Sequence, residues 1–210
     1  MSLEEMNKDA SSDPHPRERF ENYICDVFAR EIQSWDRSTS EGIYAISFFI
    51  YDYEDDPLQP QVHLSYNTLS EWERNCTRET DRSEVKWNFA FWPQDFKAII
   101  PMYSLEGSKV VLDSDGAALR SAWLDSEGLN DSNDGDPGSD TPVVTRAFAA
   151  ICVRVARRLH ESGIITAKFG RTVPIIVHEL EYYDAIVEQT RDANPPGASD
   201  EFDLWYNSLG

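Results

Sequence analysis

The chain has 210 residues and carries 38 acidic against 19 basic side chains, which gives a formal net charge of -19 at neutral pH. A field of this sign repels phosphate backbones and anionic lipid surfaces. The composition therefore argues against nucleic-acid and membrane partners and favours a basic protein or a cation. The length fits one domain, and six Trp, ten Phe and nine Tyr supply the apolar volume for its core.

The N-terminus is polar and lacks the basic and apolar regions of a signal peptide, and the longest apolar run, Ile43 to Tyr51, is too short to span a bilayer. The three cysteines, Cys25, Cys76 and Cys152, show no CxxC spacing and suit a reducing compartment. These features together predict a cytoplasmic protein.

The first third of the chain predicts a leader, a helix and two paired strands. Residues 1–16 are polar and are predicted to form a disordered leader before a single domain at 17–210. Apolar residues recur at three- and four-residue steps over 20–35, which indicates an amphipathic helix. Residues 42–53, GIYAISFFIYDY, are almost continuously apolar and predict a central strand, and 61–66 alternates as an antiparallel partner strand does.

The segment at 85–92, VKWNFAFW, leaves two interpretations open. It alternates as a strand does, but Pro93 could instead begin a helix that runs to Ile100. The later elements are predicted in this order: a strand at 109–112, a helix near 117–124, an acidic loop at 126–140, a helix from Thr141-Pro142 to Gly163, a strand at 173–177, a helix at 179–193, and a tail docked through Phe202, Leu204, Trp205 and Tyr206. Because these elements do not alternate as βαβ units, the expected fold class is α+β, a single domain with a mainly antiparallel central sheet flanked by helices.

The segment VHELEYYD at 177–184 holds the residues best suited to metal binding or proton transfer. His178, Glu179, Glu181 and Asp184 lie near a predicted strand-to-helix junction. Glu181 and Asp184 are three residues apart on the predicted helix and could share a face, so the metal site would use His178, Glu181 and Asp184. The zinc-protease pattern does not apply, because no second histidine stands four residues after the first. Acidic residues in a first helical turn also complement the helix dipole, and this favours a purely structural role.

Two acidic clusters fall in predicted loops, where recognition sites are common. The first comprises Asp52, Glu54, Asp55 and Asp56, and the second comprises Asp131, Asp134 and Asp136. The spacing of the second cluster is similar to that of a calcium-binding loop, but Thr141 stands where a bidentate glutamate is required. The sequence contains no phosphate-binding glycine loop and no GxSxG nucleophile turn, so it predicts neither a cofactor nor a catalytic residue.

Three segments carry a resemblance to a known family: GIYAISFFIYDY, KWNFAFW, and SGIITAKFGRTVPIIVHELEYYD followed by ANPPG. In these segments, and over most of its length from about Ile43, the chain resembles an uncharacterised bacterial family called domain of unknown function 4303. The resemblance carries over no catalytic residue. It implies a similarity to small acidic proteins encoded beside bacterial toxins, and hence an immunity or interaction role.

Two functional hypotheses follow. The first is a non-enzymatic acidic binding protein, for example an immunity protein that neutralises a basic toxin through the two acidic clusters. The alternative is a metal-assisted enzyme or a small-ligand-binding domain with its site near His178. An acidic subunit of a larger assembly is a third hypothesis. The sequence leaves open the identity of the partner, the strand order and the oligomeric state. It also leaves open whether the acidity serves a function or reflects only solubility and genome composition.

Overall fold

The computed structural model describes residues 13–101, 103–106, 109–130 and 142–209. Within these ranges the helices are α1 (Pro16–Ser34), α2 (Arg37–Gly42), α3 (Leu69–Asn75), α4 (Arg82–Trp87), α5 (Ser114–Glu127), α6 (Val143–Glu161), α7 (Ile164–Phe169), α8 (Asp184–Ala193) and α9 (Asp200–Asn207). The strands are β1 (Ile43–Asp52), β2 (Pro60–Thr68), β3 (Ala98–Ile100), β4 (Tyr103–Glu106), β5 (Lys109–Leu112) and β6 (Ile175–His178). The predicted α+β class is confirmed. Most of the predicted leader lies outside the described ranges, and Pro16 is the first residue of α1.

A four-stranded sheet in the order β3-β2-β1-β6 forms the centre of the fold, and β4 pairs with β5 in a second, small sheet. β1 runs antiparallel to β2, with Phe49 opposite His63. β6 runs parallel to β1, with His178 beside Phe49. The central sheet is therefore mixed and mainly antiparallel, as expected, because β2 has antiparallel partners on both sides and only the pair of β1 with β6 is parallel. A parallel neighbour is possible because a long connection that contains α5, α6 and α7 separates β1 from β6.

The two faces of the central sheet enter two separate hydrophobic clusters. The larger cluster, under α1, α5, α6 and α7, receives Ile46, Phe48 and Ile50 of β1. The smaller cluster, under α4 and α9, receives Ala45 and Phe49. Successive side chains of a strand point to opposite faces, so the nearly continuous apolar sequence of β1 is what a strand covered on both sides requires.

The outer edge of β6 is covered by side chains from α8 and its C-terminal cap. The backbone N–H of Val177 donates to Oγ1 of Thr190, at 3.2 Å, and the N–H of Ile175 donates to Oδ1 of Asn194, at 2.8 Å. Nδ2 of Asn194 also donates to the carbonyl of Ile175. These two side chains take the place of a neighbouring strand, so the backbone of β6 is closed to pairing with another chain.

Neither interpretation of the segment 85–92 is correct. Residues up to Trp87 belong to α4, a single 3-10 turn follows at Phe89–Phe91, and β3 occupies the place of the helix expected to run to Ile100. The Asp81 side chain begins α4 by accepting from two backbone N–H groups. The aromatic rings then enter the smaller cluster without the alternation of a strand, because a short helix and an irregular turn direct them to one side.

Two further predictions about the C-terminal region need correction. The helix expected from Glu179 begins only at Asp184. The residues between β6 and Asp184 are irregular, and they pack Tyr182 against the smaller cluster. In the tail, Phe202 and Trp205 are buried as predicted, whereas Leu204 is 72% exposed. None of the helices within the described ranges has the length and the apolar character needed to cross a bilayer.

Candidate functional site

His178, the last residue of β6, holds the two parallel strands together. Its Nδ1 lies 2.8 Å from the carbonyl oxygen of Glu179, and its Nε2 lies 2.8 Å from the hydroxyl of Ser47 on β1. A carbonyl oxygen only accepts, so Nδ1 carries the proton and Nε2 accepts from Ser47. Burial lowers the pKa of His178 to about 4, so the ring is neutral at physiological pH.

This Ser-His pair has the hydrogen-bond pattern of a nucleophile and its base, but it is sealed inside the protein. Ser47 is fully buried and His178 is 1% exposed. The rings of Phe49, Phe89 and Tyr182 lie against the imidazole, with Tyr182 stacked at 5.6 Å. A substrate could not reach Ser47 without displacement of this aromatic cover, so the pair has a structural role in this conformation.

The metal site considered around His178 does not form. Both ring nitrogens of His178 are used internally, Glu181 is exposed in the irregular segment before α8, and the Asp184 carboxylate accepts from the hydroxyl of Tyr206. Glu181 and Asp184 do not share a helical face, because only Asp184 belongs to α8. Within the described ranges, no three metal-ligating side chains gather closely enough to hold an ion.

The first acidic cluster forms a tight turn between β1 and β2. Glu54 and Asp55 are exposed and have positive φ angles of 57° and 58°. The carboxylate of Asp56 accepts from the backbone N–H of Leu58 and from Nε2 of Gln59, and these bonds lower its pKa. Asp56 therefore stabilises the turn, while its two exposed neighbours present their charge to solvent. The residues of the second cluster, Asp131, Asp134 and Asp136, lie outside the described ranges.

Asp52 links this turn to the body of the protein. The hydroxyl of Thr145 on α6 donates to Oδ2 of Asp52 at 2.8 Å, and Oδ1 is buried without a partner. Burial raises the pKa of Asp52, and the nearby charges of Asp56 and Asp55 raise it further. Burial likewise raises the pKa of Glu179, and the charge of Asp52 adds to that effect. Asp52 therefore affects the pKa of a carboxyl group from a distant part of the sequence.

Parallel pairing explains why Asp52 and Glu179 lie at the same edge of the sheet. Asp52 ends β1 and Glu179 follows β6, and the carboxyl ends of parallel strands emerge at the same edge of a sheet. The sequence analysis placed Asp52 in an acidic cluster and Glu179 in the VHELEYYD segment, but it did not connect the two and did not select Thr145. The order of strands was the missing information, since it alone places the ends of β1 and β6 together.

A groove of about 1170 Å³ begins at this edge and runs between α6 and α8. Its α6 wall carries Arg146, Arg154 and Arg157, and its opposite wall carries Glu179, Glu181, Glu188 and Asp192. The α6 wall also carries Ala150, and the opposite wall carries Ala185, both with small side chains. Leu180 lies at the rim, with 77% of its surface exposed.

The two walls differ in how their charged side chains are bonded. Arg154 pairs with Glu21 of α1, through contacts of 2.6 and 2.7 Å, and the guanidinium of Arg157 donates twice to the backbone carbonyl of Asp192. Within the described ranges, neither Glu181 nor Glu188 forms an ion pair. Because Arg154 is paired with Glu21, two guanidinium groups and four carboxylates remain in the lining, so the groove is a partly apolar channel with an excess of negative charge.

Comparison of the chain with protein-family models, with curated proteins and with solved structures finds no match. The site must therefore be interpreted from its own chemistry.

Proposed function

We propose that this protein is a non-enzymatic binding protein that uses an acidic surface to bind a basic protein. The observation that carries the proposal is the exposed acidic turn at Glu54 and Asp55, together with the carboxylates along the α8 side of the groove. The turn follows β1 and the groove lining begins after β6, so both lie at the edge of the sheet where these parallel strands end. Clustered charge of one sign steers an oppositely charged partner and suppresses unsuitable ones.

The enzymatic alternative has less support. The histidine on which it depends is buried and neutral, and its two ring nitrogens already have partners. A basic toxin neutralised by this chain in the cytoplasm is the specific form of binding that we propose, because a toxin whose active surface is cationic would be masked by such a surface.

The proposal is tested with a charge-neutralised variant, Glu54→Gln/Asp55→Asn. Asparagine tolerates the left-handed backbone at position 55, so the turn is retained. Proteins retained by the wild-type chain from its source cell at low salt are identified by mass spectrometry, and the affinity of each candidate is then measured in rising salt. We expect a basic partner whose affinity falls steeply with salt and falls about tenfold or more in the variant.

A matched control removes two charges elsewhere. Asp26 on α1 and Glu73 on α3 are exposed, so Asp26→Asn/Glu73→Gln has the same net charge as the test variant. The control should bind as the wild type does. Recovery of no basic partner, or equal weakening in both variants, would contradict the proposal. If the partner is a toxin, growth of cells that produce it should be restored by the wild-type chain and not by the Glu54→Gln/Asp55→Asn variant.

A further inference from the structure

We infer that the groove between α6 and α8 binds an amphipathic helix of the partner, with lysine or arginine residues along one flank and an apolar stripe on its inner face. The inference rests on the proposed function and specifies the form of the segment that is bound. The shape of the groove walls, the distribution of charge and the closed edge of β6 support it.

The walls have helical periodicity. Along α6, the groove is lined at Arg146, Ala150, Arg154 and Arg157, which are four, four and three residues apart. Along α8, it is lined at positions 185, 188 and 192. Two helices that each present such a stripe leave a channel parallel to their axes, into which the side-chain ridge of a third helix fits. The small side chains of Ala150 and Ala185 allow its backbone to approach closely.

The length of the channel sets the length of the bound helix. From residue 146 to residue 157 the α6 wall extends for about 17 Å, which corresponds to a helix of about twelve residues or three turns. The exposed side chain of Leu180 at the rim provides an apolar contact at the open end. At the other end, Arg157 reaches across to the carbonyl of Asp192 and closes the channel.

The charge of the channel decides which helix suits it. Arg154 is paired with Glu21, whereas Arg157 donates to a backbone carbonyl and keeps its positive charge. Glu181 and Glu188 on the opposite wall are exposed and lack ion-pair partners in the described part of the chain, so the basic flank of the bound helix faces this wall and not α6. A basic flank would gain two charge pairs there. A second copy of this chain, with its net charge of -19, is a poor occupant because the two molecules repel each other.

An extended segment is also a poor occupant. A bound strand gains most of its affinity from backbone hydrogen bonds to a free sheet edge. At β6 the outward N–H groups of Ile175 and Val177 already donate to Asn194 and Thr190. A helix satisfies its own backbone and needs only the side-chain contacts that the channel offers.

The test uses two synthetic peptides of identical composition, each about twelve residues long with blocked ends. One places lysines on one flank and leucines on the inner face of a helix, and the other is a scramble with no helical periodicity. Binding is measured by fluorescence anisotropy at low salt. We expect the amphipathic peptide to bind at least about tenfold more tightly than the scramble, and to gain helical circular dichroism on binding.

Two variants place a bulky ring in the channel. Ala150 and Ala185 are exposed, so Ala150→Trp and Ala185→Trp should fill the channel without disturbing the core. Each should weaken binding of the amphipathic peptide by about tenfold or more, with the thermal midpoint unchanged. Ala118 is an exposed alanine on α5, so Ala118→Trp is the matched control and should bind as the wild type does.

The outcomes separate this inference from the proposed function. If the scramble binds as tightly as the amphipathic peptide, or if the tryptophan variants bind normally, the helix-binding channel is wrong. The acidic binding surface still stands in that case, provided that Glu54→Gln/Asp55→Asn weakens binding of the recovered partner. If that variant binds the partner normally while the tryptophan variants do not, the channel stands and the acidic turn is not part of the surface. Failure of the wild type to bind either peptide overturns the inference.

Discussion

The hydroxyl of Ser47 on β1 donates to Nε2 of His178 on β6, and both residues are buried where the two parallel strands meet. Ser65 lies directly opposite Ser47 on the antiparallel neighbour β2, is equally buried, and its hydroxyl has no hydrogen-bond partner. The same side chain therefore occurs twice in one buried layer, once with a partner and once without.

This difference predicts opposite results for the same substitution. Ser47→Ala leaves Nε2 of His178 buried without a donor, and should lower the free energy of unfolding by about 1–3 kcal/mol. Ser65→Ala removes a hydroxyl that is already unsatisfied, and should be neutral or slightly stabilising. Chemical denaturation of both variants measures the difference. Equal destabilisation by the two substitutions would show that the Ser47–His178 bond does not stabilise the fold.

The stability of the protein should fall on mild acidification. Burial lowers the pKa of both His63 and His178 to about 4, against 6.5 for a free imidazole. The unfolded chain therefore takes up protons at higher pH than the folded chain, and the free energy of unfolding decreases as the pH falls from about 6.5 to about 4. Each histidine contributes up to about 3 kcal/mol to this loss.

A variant can isolate one of these histidines. His63 packs against Phe49 and Phe96, and its Nδ1 has no partner, so His63→Phe fits an aromatic environment. Between pH 7 and pH 4.5, the free energy of unfolding of this variant should decrease less than that of the wild type. Parallel pH profiles for the two proteins would contradict the proposed cause of acid sensitivity.

A neutral replacement of Asp52 should separate the effect of its charge on stability from its effect on binding. The raised pKa values of Asp52 and Glu179 mean that ionisation of these groups opposes folding at neutral pH. Asp52→Asn retains an acceptor for the Thr145 hydroxyl, so it should change the free energy of unfolding by less than about 1 kcal/mol or increase it. It should also weaken binding of the basic partner. A large loss of stability would indicate that the charge of Asp52 is required for folding.

The closed edge of β6 gives a fourth prediction. Thr190→Val preserves the shape of the side chain but removes the acceptor for the N–H of Val177, and should cost about 1–3 kcal/mol. Because the strand edge is then unsatisfied, the variant should also associate with itself more readily, as measured by light scattering. Thr166 is exposed on α7, so Thr166→Val is the control and should leave both properties unchanged.

Local patterns in the sequence were sufficient to predict the helices and strands whose buried apolar residues recur at regular intervals. The helix at 20–35, the central strand and the strand near 173–177 were predicted because their apolar spacing matches one period. The structure of the segment at 85–92 was not predicted, because its aromatic residues are shared between the end of a short helix and an irregular turn. These are too short to give a regular apolar spacing. Asp52 could be selected as part of an acidic cluster. Its relationship to Glu179 could not, because it depends on a strand pairing between residues far apart in the chain.

That pairing also determines the order in which the protein can be completed during synthesis. Ile46 of β1 lies beside Ile175 of β6, about 130 residues later in the chain. At roughly 5–20 residues per second, a ribosome needs on the order of 10 s to make the intervening segment. During that interval β1 can pair with β2, but the backbone groups along its other edge have no neighbouring strand. The nascent chain therefore carries an unpaired strand edge until residues 175–178 have been made and can pair with β1.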